Sequence, residues 1–432
     1  MERTSALRWR LSLSTLVLYT VIVALLSIPL LASYSQPKLM LTSDYLTDFY
    51  PAGKLLVENR SSELYPNLSS AAFRESAFNH FVHQLLPDLP RKEIAVFMFS
   101  PLTALIFCPY SFFSPQISLM LWQLTSMVAF LLSIALLCAA VGQNFSKCIL
   151  YCLLYLPIFH TQFTGQLGII VGLLPLSLGY FLLTRQRLFL GGISWSLLLL
   201  KPQFLPIVLL VVAALIFSKR YRCALGFITG IALQVAITMV YLKPAVLLQW
   251  FSILKMSETV LSSSQYVYSF YLMTSLPCLL HFFPATLRGF VEIPVCLSAL
   301  AISLHALWLS CKAITSAKTG TDVALLEIFV IGIAILPLTS PHFLFYDFSI
   351  FSFFVVLFRS SSWSTSQRWR LKPLNWLYLI SINIYYIFRI VLFHSSAGMI
   401  LYLGLFLAVM ALLYYRLLLI VLEQPHPSST TI

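Results

Sequence analysis

Leu41-Thr42-Ser43-Asp44-Tyr45-Leu46-Thr47-Asp48-Phe49-Tyr50 sets two carboxylates four residues apart, directly behind the first long apolar segment of the chain. An ionised acid is costly in hydrocarbon, so acids kept at the end of an apolar segment mark a membrane edge and suggest a use there. The segment before them, Leu11 to Ala32, is long enough to span a bilayer. Arg3, Arg8 and Arg10 precede it, and no small-residue cleavage site ends it. That pattern predicts an uncleaved first helix with the N-terminus in the cytoplasm and Asp44 outside.

Working outward, similar apolar runs recur to the end of the chain. Of 432 residues, 59% are hydrophobic and 9% charged, whereas a soluble domain carries about a quarter charged. The runs are too long for barrel strands. The fold class expected is therefore all-α: a polytopic transmembrane helical bundle of about 12–13 membrane segments, forming one integral membrane domain over residues 1–432. The net charge of +13 comes from Lys and Arg gathered in short turns such as Arg185 to Arg187, Lys219 to Arg222 and Arg359 to Lys372. The positive-inside rule makes these turns cytoplasmic, leaves both termini inside, and removes nucleic acid as a partner. An even number of crossings follows, and proline-broken Phe97 to Phe112 is the segment expected not to cross. The Cys show no metal spacing, and Cys148 and Cys152 read as core.

Two outer loops stand out. Residues 33–93 are expected to carry interfacial amphipathic helices at Phe49 to Asn59 and Leu68 to Leu86, the second with Phe73, Ala77, Phe81 and Leu85 on one face. Residues 243–286 form a second, aromatic- and Ser-rich loop. Between them, Leu188 to Phe217 is interrupted at Lys201-Pro202, which suggests two short helices meeting at the outer face or in a re-entrant hairpin.

Three constellations carry chemistry. Asp44 and Asp48 fall together whether the stretch is helical or extended, and neighbouring carboxylates raise one pKa, which suits acid–base work. The bland alternative is a pair of solvated loop acids. Ser340-Pro341-His342 with Tyr346-Asp347 can bind a polar head group or a leaving phosphate, or be only a turn. Lys201, with Gly165-Gln166, is costly between apolar segments unless it meets water, an acid or a phosphate; otherwise it snorkels. Tyr50 and Lys54 join the substrate-binding candidates. GxxxxGK[ST], HExxH and a nucleophile-elbow Ser are absent from the sequence, which argues against ATP hydrolysis, zinc proteolysis and Ser hydrolase chemistry.

In this order the motifs resemble the bacterial GT-C membrane glycosyltransferases, specifically the polyprenol-phosphate-mannose-dependent mannosyltransferases of glycosyltransferase family 87. The likeness rests on Asp44 to Gly53 with Leu64-Tyr65, Phe97-Met98-Phe99-Ser100-Pro101-Leu102, Gly165-Gln166 with Leu200-Lys201-Pro202, and Ser340-Pro341-His342 with Tyr346-Asp347. The chain departs from the family's pattern at Ser100, where a second Pro is common, and at Glu58-Asn59, where a Gly is usual. The resemblance implies a cofactor-free, metal-independent, inverting hexosyltransferase of the inner (plasma) membrane, acting on the extracytoplasmic side. Its partners would be a polyprenyl-phosphate sugar donor, a lipid or glycolipid acceptor, and membrane lipids. It implies Asp44, or secondarily Asp48, as catalytic base, with His342 and Lys201 near the phosphate. The runner-up is a transporter or flippase for lipid-linked sugars, its path lined by Glu292, Glu327 and Lys201.

Overall fold

A chain in hydrocarbon must satisfy its own backbone polar groups, and apolar runs of this length do so as helices. The computed structural model is helical, with one isolated antiparallel bridge, Met273 to Leu344, and no strand among the described residues. It describes residues 13–66, 73–262, 273–283, 285–315, 321–340, 342–391 and 396–421. Arg3, Arg8, Arg10, the Leu68 end of the second expected interfacial helix, Pro341 and the centre of the second outer loop lie outside them.

The first half runs α1 (Leu13–Ser35), α2 (Pro37–Met40), α3 (Tyr50–Val57), α4 (Ala77–Leu85), α5 (Pro101–Phe107), α6 (Pro115–Val141), α7 (Phe145–Cys152) and α8 (Pro157–Phe163). There follow α9 (Leu174–Thr184), α10 (Leu188–Ser196), α11 (Leu205–Phe217), α12 (Arg222–Tyr241) and α13 (Pro244–Ser262). Helices Ala285–Thr315, Thr321–Thr339, Thr365–Val391 and Ser396–Val421 complete the bundle. Among the described residues five helices are long and apolar enough to cross a membrane, and six if α8 and 168–184, bent by 118°, count as one broken span. Other expected segments are helical but shorter, at 10–17 residues.

Several expectations need correction. Lys147 to Phe163 is not one span: the helix stops after Cys152 and restarts at Pro157, because proline has no N–H to carry an i→i−4 bond across that point and is tolerated in the first turn of a new helix. The second outer loop contains the 19-residue α13. Its Val246 and Ile253 are buried on one side and its Trp250 indole donates to the Met98 carbonyl at 3.3 Å, so the loop docks on the segment before α5. The second interfacial helix is only α4, and its buried face is Phe78, Phe81 and Val82, with Ala77 exposed. Tyr346 to Phe358 is mostly a 3-10 turn, Phe345–Phe353. Phe97 to Phe112 yields α5, at seven residues too short to cross, with the Ser100 hydroxyl capping the Thr103 amide.

Two apolar clusters organise the interior. One fills the bundle around Phe130, Trp195, Phe329 and Phe351; the other packs the first outer loop around Tyr45, Phe49, Phe97 and Trp122. The π-helical turn Gly168–Leu173 gives Ile169 and Leu173 to the first and Val171 to the second. Leu200 and Phe204 divide in the same way. Gln166 and Lys201 therefore lie on the seam between the clusters.

Candidate active site

Asp44 is placed by its neighbour. Tyr45 is fully buried: its amide donates to the Thr164 carbonyl at 3.0 Å, its hydroxyl meets Ser118 Oγ at 2.6 Å, and its ring stacks on Trp122 at 5.9 Å. The Trp122 indole in turn donates to the Gly165 carbonyl at 2.8 Å. The chain continues as a π-helical turn, Tyr45–Phe49, into α3, and such turns recur at functional sites. With Tyr45 fixed, Asp44 and Asp48 are both half-buried.

The partner segment is the turn after α8. Gly165 has a left-handed φ of +70°, and a Cβ there would collide with the Tyr45 side chain. That turn aims Gln166, whose amide nitrogen donates to Asp44 Oδ2. The Gln166 side chain also lies near that of Tyr346.

Lys201 occupies a break between two 3-10 turns, Leu197–Leu200 and Pro202–Phe204, with non-helical backbone. It does not snorkel. It is 1% exposed, and its ammonium pairs with Asp347 Oδ1 at 2.8 Å. The same ammonium lies 5.1 Å from the Tyr346 ring centre. Asp347 Oδ2 accepts the Leu344 amide at 3.0 Å. Asp347 is thus fully engaged in holding Lys201 and capping its own turn, with no carboxylate oxygen aimed outward.

Electrostatics act on the two loop acids together. Burial raises the Asp44 carboxyl above the ordinary carboxylate range, opposed by the Gln166 amide and the Lys201 charge. Asp48 is raised further, by burial and then by the charge of Asp44, with Thr47 opposing. The two carboxyls titrate as a pair, both above the ordinary carboxylate range.

The structure thus gathers Asp44, Asp48, Gln166, Lys201, Tyr346 and Asp347 from four distant parts of the sequence. His342 lies half-buried in the turn that leads to Leu344, and the second outer loop is tied there by Thr274, whose amide donates to the Phe343 carbonyl at 2.7 Å. Tyr50 and Lys54 turn elsewhere: they donate to the Phe113 and Ser111 carbonyls at 3.0 and 3.5 Å, bracing α3 against the loop after α5. Of the other cations, Arg60 is paired with Glu58 and Glu63, while Arg74, Arg91 and Lys92 are exposed. Glu292 is exposed and Glu327 half-buried.

Sequence reasoning missed His160. Its ring is parallel to Tyr346 at 6.0 Å and 4.6 Å from Phe345, and its Nδ1 meets the Tyr386 hydroxyl at 2.9 Å. Next to it, the Thr161 hydroxyl contacts the Tyr346 carbonyl at 3.2 Å. The available signal was the density of polar groups from His160 to Gln166 at the end of an apolar run.

Beside the Asp44 loop, a largely apolar cavity of about 320 Å³ opens between α1, the end of α4 and the start of α6, lined among others by Met40, Leu41, Leu46, Leu85 and Leu119. Leu41 and Leu46 bracket Asp44 in sequence, so this space adjoins the carboxylate loop.

A family model described as glycosyltransferase family 87 matches residues 97–341, more than half of the chain. The chain belongs to glycosyltransferase family 87. Neither a curated protein sequence nor a solved structure matches it. The residues matched to family 87 include Gln166 and Lys201; the Asp44 loop and His342 to Asp347 flank them on either side. This family 87 chain is therefore a glycosyltransferase built as a helical membrane bundle.

Proposed function

We propose that this glycosyltransferase moves a hexose, mannose being the first candidate, from a polyprenyl-monophosphate sugar to a lipid or glycolipid acceptor on the extracytoplasmic face. One observation carries the reading: Asp44 is a half-buried carboxylate held by Gln166 and facing the charge of buried Lys201. A base and a cation set side by side at the end of a membrane helix suit a reaction that removes a proton and releases a phosphate.

Asp44 takes the proton of the acceptor hydroxyl as that oxygen attacks the anomeric carbon. The bond from that carbon to the lipid-phosphate oxygen breaks, and the phosphate leaves with the bonding pair, so the configuration inverts. Lys201 and His342 steady the charge on the departing phosphate. The positive charge is assigned to Lys201 and not to a metal ion, and Asp347 orients it. Asp48, four residues on, supports Asp44. The apolar cavity beside Leu41 and Leu46 takes hydrocarbon of a lipid-linked substrate.

Asp44→Asn tests the reading, since it keeps the shape and the Gln166 contact but removes the base. Transfer from a polyprenyl-phosphate mannose donor should fall by on the order of 10²–10⁴-fold, with the purified protein melting at an unchanged temperature. Turnover near the wild-type rate would remove Asp44 from the mechanism. A panel of polyprenyl-phosphate sugars, run on the wild type, decides the hexose.

A further inference from the structure

The end of the bundle away from Asp44 carries a second constellation, which sugar transfer does not use. From Lys201, α10 and α11 lead away through about 20 Å of helix to two adjacent turns, Arg185-Gln186-Arg187 and Lys219-Arg220-Tyr221-Arg222. Between them lies an open cavity of about 450 Å³ lined by Gln186, Leu188, Lys219, Arg220, Tyr221 and Arg222. The chain has no Asp or Glu between Glu93 and Glu258, so these cations have no acid from their own elements to neutralise them.

The frame around this cavity is closely packed. Gly192 of α10 lies against the Cys223 carbonyl and Gly226 of α12 against the Phe189 carbonyl, so closely that no Cβ fits at either glycine. The two helices therefore hold the basic turns in fixed register. Gln186 and Lys219 both adopt left-handed backbone, with φ of +59° and +61°. Glycine takes that conformation without cost, and other residues seldom do. Both turns instead keep a polar or charged side chain at the cavity. The positive-inside rule accounts for cations at this end, but not for their convergence on a cavity with fixed walls.

We propose that this cavity is a binding site for the phosphate head group of an anionic phospholipid in the leaflet opposite Asp44. Lys219, Arg220 and Arg222 supply the charge, Gln186 and Tyr221 supply polar contacts, and Leu188 meets the start of the acyl chains. Basic pockets between membrane helices take such head groups, helped by the negative potential of the cytoplasmic leaflet.

Native mass spectrometry of the purified full-length protein, titrated with phosphatidylglycerol or phosphatidylcholine, provides the test. The wild type should retain phosphatidylglycerol at least tenfold more tightly than phosphatidylcholine. Replacing Lys219, Arg220 and Arg222 together by Gln should weaken phosphatidylglycerol by on the order of 100-fold, at roughly fivefold per cation. Lys219→Gly is the variant that cannot be blamed on misfolding, because glycine suits the left-handed backbone. It should cost roughly fivefold in affinity with no loss of melting temperature. Equal retention of both lipids by the wild type, or an unchanged preference in the Lys219→Gly protein, overturns the proposal. Displacement of phosphatidylglycerol by millimolar inorganic phosphate would also overturn it, since the site would then serve a soluble anion.

Discussion

Lys201 lies on the seam of the two apolar clusters, and its charge bears on Asp44. A lysine with 1% exposure keeps its charge only with a partner, and Asp347 at 2.8 Å is that partner. Its residual field reaches Asp44, where it opposes the upward push of burial. The sign of the pH dependence follows. A carboxyl whose folded pKa is raised contributes stability that is complete below its unfolded pKa and lost as pH rises through the folded value. Activity runs the other way, because a base must be ionised. The acidic limb of kcat/KM should therefore lie above the ordinary carboxylate range. Gln166→Leu removes a hydrogen bond that favours the ionised form, so it should move that limb to higher pH. A pH–rate profile of the two proteins checks this, and a limb that stays in place would detach Gln166 from the base. Asp44, Gln166 and Lys201 were legible as residues of interest, since acids and lysines beside apolar runs are conspicuous. Their pairing was not. Nothing in the spacing says that Lys201 would meet Asp347 and not water, or that His160 would lie parallel to Tyr346.

At the scale of elements, the turn Thr164-Gly165-Gln166 is what converts a greasy bundle into a site. It accepts the Tyr45 amide and the Trp122 indole on backbone carbonyls and sends Gln166 to Asp44. Long helices and the break at Lys201-Pro202 could be read from hydropathy and proline, and they appear as expected. The interrupted span at Pro157, the π-helical turn after Asp44 and helix α13 could not, because hydropathy averages over a window and loses a stop of four residues or a 246–250–253 stripe inside a polar-looking loop. Two glycines separate backbone cost from site cost. Gly165 and Gly142 both have left-handed φ, but only at Gly165 would a Cβ strike the Asp44 loop; at Gly142 the nearest atom is Ser361 Oγ at 3.9 Å. Gly142→Ala should cost about 1–2 kcal/mol, the left-handed penalty, and leave transfer intact. Gly165→Ala should cost more than that and abolish transfer, because Tyr45 must shift and carry Asp44 with it. Thermal melts in detergent and a transfer assay measure both halves, and equal activities would mean that the turn does not position the base.

On the scale of the whole molecule, the charges and the helices describe one orientation. The helix Thr365–Val391 brings Tyr386 to His160 at the site end, and its first residue lies about 30 Å of helix away, next to the basic stretch Arg359 to Lys372. The positive-inside rule would put the basic turns in the cytoplasm and the Asp44 loop outside, where the proposal places the donor. Two conservative thiols decide it: Thr42→Cys and Ser361→Cys, both at exposed positions, with exposed Cys296 replaced by Ser. A membrane-impermeant maleimide should label the Thr42→Cys protein in intact cells with an outer surface open to the reagent, and the Ser361→Cys protein only after lysis. The reverse pattern would turn the bundle over, put Asp44 on the cytoplasmic face, and remove the extracytoplasmic half of the proposed reaction, while leaving the chain a family 87 glycosyltransferase.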